Sequence, residues 1–102
     1  MRHHPLVPEA SAVSDAGVTV AAVSTTVLAA NVDRVHVTIT ASPSNTETVW
    51  IARNATAVMN QGDALSAGGS LEIDAQNFYA GIISGICASG GQVVGVSEGT
   101  TS

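Results

Sequence analysis

The chain has 102 residues, enough for one domain, of which 45% are apolar and 11% charged. It contains no lysine, and Arg2, Arg34 and Arg53 oppose eight carboxylates, for a net charge of −5. A chain so apolar is not disordered by composition; one so acidic lacks the basic patch that nucleic acid or an anionic membrane demands; and no apolar run reaches the roughly 18 residues of a spanning helix. Thirty residues are β-branched Val, Ile or Thr, and the aromatic residues are Trp50, Phe78 and Tyr79. The apolar period that recurs is two rather than about 3.6, so strands are expected throughout.

Residues 1–16, with Pro5, Pro8, Ser11 and Ser14, read as an extended N-terminal arm. Ordering such a segment costs roughly 1–2 kcal/mol per residue in backbone entropy, so the arm is expected to order only against a partner. Its apolar residues Leu6, Val7 and Pro8 are therefore candidate interface residues. The start, Met1-Arg2-His3-His4-Pro5, lacks the apolar core of a signal peptide. Cys87 is the one cysteine, so no intrachain disulfide forms, and a protein made in a reducing cytoplasm is expected.

From Gly17 onward the main domain, residues 17–102, begins. Residues 18–23 and 25–30 are extended, and Asn31-Val32-Asp33 is a turn. Residues 34–41 alternate most cleanly, with Val35, Val37 and Ile39 on one face and Arg34, His36, Thr38 and Thr40 on the other. Pro43-Ser44-Asn45 breaks the run. Residues 47–53 alternate again, Val49 and Ile51 against Thr48, Trp50 and Ala52, and the two runs suggest a hairpin. Residues 54–70 are looser, punctuated by Gly62, Gly68 and Gly69. Leu71-Glu72-Ile73-Asp74 alternates. Residues 79–87 are apolar on both faces, as in a central covered strand, and Gly81 and Gly85 within them mark a bulge or close approach. Ser89-Gly90-Gly91 turns into a last strand, residues 92–98. About seven or eight short strands with glycine turns indicate an all-β fold, a single antiparallel β-sandwich or jelly-roll-like domain.

The order of these features resembles a family of small bacteriophage virion proteins. The residues that carry it are Val27-Leu28-Ala29-Ala30-Asn31 followed by Arg34; the alternating strand Val35 to Ile39; Val49-Trp50-Ile51-Ala52; Gly62, Leu65, Gly68, Gly69 and Ser70; Tyr79-Ala80-Gly81-Ile82 with Ile86; and Val93-Val94-Gly95-Val96-Ser97-Glu98. The resemblance spans residues 17–98. It departs at Thr40, where the family often has Asn, and at Ala67, where it often has Pro; the arm has no counterpart. It implies a β-sandwich component of a phage particle: a head decoration (cement) protein, a head-fibre base or a tail accessory. It further implies a homotrimer on the capsid outer surface, with the major capsid protein and copies of itself as partners.

No constellation for catalysis is evident, and neither an enzyme nor a cofactor is expected. His3-His4 lack further ligands at metal spacing. His36 has no nucleophile motif beside it. Glu72 and Asp74 share a strand face, which reads as solvent-facing rather than as a calcium or acid/base pair. Gly68-Gly69-Ser70 lacks the lysine and helix of a phosphate loop. Asn54-Ala55-Thr56 matches a glycosylation acceptor without a secretory context. Cys87 reads as a buried small hydrophobe. Trp50 remains as a candidate interface anchor, either outward-facing or covered within the sandwich. The expected core is Val35, Val37, Ile39, Val49, Ile51, Leu71, Ile73, Ile82, Ile86, Val94 and Val96. A core filled by these side chains leaves function to the outer surface: cementing a capsid, or, alternatively, a tail or fibre accessory module recognising a host surface or another virion protein.

Overall fold

The computed structural model describes residues 12–74 and 79–101. Among these there are eight strands and no helix: β1 (Ala12–Val20), β2 (Thr25–Leu28), β3 (Arg34–Ala41), β4 (Val49–Ala52), β5 (Asp63–Leu65), β6 (Ser70–Ile73), β7 (Ile83–Ile86) and β8 (Gln92–Thr100). They form two four-stranded antiparallel sheets, β1-β8-β3-β6 (sheet A) and β2-β7-β4-β5 (sheet B). The pairs β1·β8, β2·β7, β3·β6 and β4·β5 are nested, as if one long hairpin had been rolled up. That is the jelly-roll arrangement of a β-sandwich.

Val20, Val37, Ile39, Ala41, Ile73, Val94 and Val96 of sheet A meet Val27, Val49, Ile51, Leu65, Ile83 and Cys87 of the opposite layer. Leu71, on the edge strand β6, is half-buried and packs against this core. Gly85 faces inward from the middle of β7, where an added Cβ would sit 3.1 Å from Val27 Cγ2 and 3.4 Å from Ile51 Cδ1 on the flanking strands and 3.5 Å from Val20 Cγ2 of the opposite sheet, so these side chains occupy the space a larger residue would need.

The structure corrects several expectations. Residues 34–41 and 47–53 do not form a hairpin: β3 lies in sheet A and β4 in sheet B. The connection between them hangs on the start of β8. Ser42 donates its N–H to Val93 O, the Asn45 amide side chain bonds Val93 in both directions at 2.9 Å, and Thr46 and Glu47 donate to Gln92 Oε1. The chain thus steps down to the other layer, and the apolar faces of β3 and β4 meet across the sandwich. The hairpin of this region is β4·β5 instead. Gly62 in its connection has φ +93°, and a Cβ there would strike Ile51 O, so the turn requires glycine.

The boundary drawn at residue 16 falls inside β1, whose residues 12–16 pair with 96–100 of β8. This stretch is exposed and is held by backbone pairing rather than by burial, which is why it shows no apolar alternation. Leu6, Val7 and Pro8, like His3 and His4, lie outside the described residues. Val35 is only half-buried, because a bulge between Arg34 and His36 reverses the alternation and turns Arg34 inward. In β7 the inward residues include Ile83, not Ile82; Ile86 is buried but points to the outer side, away from the main cluster. The strand is nonetheless central and covered on both faces, as its composition suggested.

Ile39, fully buried, and Thr38, on the outer face, give a direct check of this register. Ile39→Ala should cost about 2–5 kcal/mol and Thr38→Ala about 1 kcal/mol or less, read as the two denaturation midpoints. Equal small effects would contradict the assignment.

Candidate functional site

Among the described residues Arg34 is the one arginine that the fold buries completely. Its Nε donates to Glu98 Oε2 at 2.8 Å, its Nη1 to the carbonyls of Tyr79 and Gly81 at 3.0 Å, and its Nη2 to Ala29 O at 2.6 Å. Asn31 donates its N–H to Ala80 O beside this cluster. All three guanidinium nitrogens find acceptors in place, and the planar fork suits such a set as a lysine would not. The sequence pattern placed Arg34 on the polar face of its strand. No periodicity reveals the bulge, but an arginine opening one strand, with a glutamate near the end of the last one, was a visible signal. The knot is structural: it closes one end of the sandwich.

The outer face of sheet A is smooth. Row by row it carries Asp15, Ser97, Thr38 and Glu72, then Gly17, Gly95, Thr40 and Ser70. A shallow depression of about 210 Å³ lies over Gly95. His36 rests on Gly99, where a Cβ would collide with its ring. Glu72 and Asp74 are both exposed on β6 and beyond it, as their spacing implied. Gly68 and Gly69 do not form an anion cradle: Gly68 N–H bonds Ala41 O and Ala41 N–H bonds Gly69 O, extending the β3·β6 ladder.

The outer face of sheet B is different. Trp50 projects from it between Ala64 and Ile86 and is half-buried, so it is outward-facing yet partly covered. The connection 53–62 leaves β4 level with Ser84, and its Ala57 N–H donates to Ser24 Oγ on the far side of β7. It therefore lies across β7, accounting for the burial of Ser84 and Ile86. An open depression of about 270 Å³ in this loop is lined by Arg53, Asn54, Thr56, Val58 and Gln61 among others. Arg53 also pairs with Asp63 at 3.5 Å near solvent, a contact worth about 1 kcal/mol or less. Cys87 is fully buried, its thiol directed at Val20 O. Among the described residues no group of three or more His, Cys, Asp or Glu is placed to hold a metal ion.

No protein-family model, curated protein or solved structure matches the chain. The functional reading therefore rests on the residues themselves.

Two consequences can be measured. Arg34→Met should destabilise the fold by about 3–5 kcal/mol, since it strands the buried Glu98 carboxylate. Adding Glu98→Leu should restore only part of this, because the carbonyls of Ala29, Tyr79 and Gly81 stay unsatisfied; full recovery would show that the carbonyl bonds contribute nothing. At the other end of the sandwich, bonds from the Ser89 side chain and backbone N–H hold the Glu47 carboxyl below the usual glutamate range. Its contribution is present above the ordinary value of about 4.3 and is lost as pH falls through the lowered folded value. Glu47→Gln should therefore reduce the difference in unfolding midpoint between neutral pH and about pH 3, while an unchanged difference would remove Glu47 from the acid response.

Proposed function

We propose that this chain is a structural virion protein, a capsid decoration (cement) protein that binds the outer surface of a phage head and stabilises it. Its partners are the major capsid protein and copies of itself, arranged as homotrimers, and it is made in the host cytoplasm. The observation that carries this reading is that the residues of the family resemblance are not scattered. Asn31, Arg34, the 79–81 segment and Glu98 converge on one buried knot, and Gly62, Gly68 and Gly69 hold the turns between strands. Pattern pieces that meet in one physical unit support reading them together as a single fold signature.

Two further features support it. Fully buried Val and Ile side chains occupy the space between the sheets, which directs function to the outer surface. The jelly roll is also an architecture of viral capsid domains, and equally of lectins and cupins. The lectin analogy gives the second reading, a tail or fibre accessory recognising a host surface. Trp50, outward beside the polar depression around Arg53 and Gln61, favours it.

Gel densitometry of purified particles separates the two. Decoration predicts a copy number close to that of the shell subunit, and particles lacking the chain that rupture at lower temperature and regain resistance when it is added back. A few copies per particle, co-purifying with tails, would select the accessory reading. Absence from particles would reject both.

A further inference from the structure

β1 is the long edge of this molecule. The other edge strands, β2, β5 and β6, have four, three and four residues, whereas β1 has nine and keeps an unbroken register against β8. Among the described residues its opposite edge pairs with no strand. Natural sheets blunt such an edge with lysine, proline, a bulge or shortness. The sequence of β1, Ala-Val-Ser-Asp-Ala-Gly-Val-Thr-Val, contains none of these and a single charge, Asp15. Its inner face is covered over half its length: Val20 is buried and Val18 packs on the core, but Ala16, Ser14 and Ala12 are exposed beyond the four-residue β2.

We infer that β1 is a self-pairing edge, on which a second copy of this chain docks antiparallel about a twofold axis at Ala16. One antiparallel self-register uses all nine residues, and it centres on Ala16. It sets Asp15 opposite Gly17 of the second copy; centring on Asp15 would instead oppose two carboxylates, which is destabilising. It also sets the uncovered half of each strand, Ala12 to Ala16, beside the half of the other that its own β2 supports. Each copy thus fills what the other lacks, as an isologous contact requires. The seam is about 30 Å long, at roughly 3.3 Å per residue. Val23, 69% exposed in the corner after β1, comes to the start of the neighbouring strand. This contact is separate from the threefold arrangement proposed above and does not depend on the virion reading.

Cross-linking of the full chain tests it. Directly opposed residues of an antiparallel pair have Cα atoms about 4.5–5.5 Å apart, inside the disulfide range. Ala16→Cys should therefore give a covalent dimer on mild oxidation about tenfold faster than Val13→Cys, whose two copies would sit far from the axis. Cys87 is fully buried and stays out of the reaction. Ala16→Lys, at an exposed position, should convert the sedimenting species to one of half the mass with an unchanged circular dichroism spectrum. Equal cross-linking at Ala16 and Val13, or a wild-type chain that sediments as a monomer at micromolar concentration, would overturn the inference.

Discussion

A guanidinium removed from water must find acceptors for its nitrogens, and all three nitrogens of Arg34 do so at the point where the sandwich closes. Its acceptors come from the end of β8 and from two connections, 29–33 and 79–82, that pass from one sheet to the other. Connections between layers have no ladder to supply their backbone bonds. Arg34 supplies them instead, standing in for a strand that is not there. Replacing a buried ion pair with apolar groups is often neutral in energy, so the significance of this one lies in which segments it forces together. An aliphatic side chain at position 34 would fill the space without choosing among them.

The strands themselves were legible. Residues 37–41, 70–73 and 92–98 carry the alternation their burial demands, and the resulting fold class is the one composition and period two indicate. Partner choice was not legible, for a physical reason. Val37 and Ile39 facing Val49 and Ile51 across a sandwich, and the same residues side by side in a hairpin, produce one identical pattern of apolar and polar positions. What decides between them is the bonding of the 42–48 connection to Gln92 and Val93, nearly fifty residues away. Arg34 escaped because a single inserted residue reverses parity without changing composition. Residues 12–16 escaped because an edge strand held by backbone bonds places no demand on its side chains. Trp50 was legible as opposite the Val49 and Ile51 face, but whether it was outward or covered was not, since residues 53–62, whose loop partly covers its neighbours, carry no period at all.

The two outer faces give the molecule a direction. Sheet B is crossed by a loop and interrupted by Trp50 and the Arg53–Asp63 pair, whereas the outer face of sheet A presents glycine, serine and threonine between Asp15 and Glu72. Small side chains let another surface approach the backbone closely but give little energy per residue. A contact built on such a face needs area, which repetition on a lattice of identical subunits would provide. That is the physical sense in which a smooth outer sheet suits a cement role better than recognition of a single small ligand.

A chain of net charge −5 should resist self-association, and the distribution of its carboxylates decides whether it does. Glu98 is neutralised inside, and Glu72 and Asp74 lie on β6 and just past it, the opposite edge of sheet A from β1. Three strand spacings, roughly 14 Å, separate those edges, more than the Debye length of about 8 Å at physiological ionic strength. β1 itself bears Asp15 alone. One edge of the sheet is therefore guarded by charge in the ordinary way, and the other is left smooth, long and nearly neutral. Seven of the nine residues of β1 are exposed and only Asp15 among them is charged, which leaves its backbone edge open to a seam between two copies.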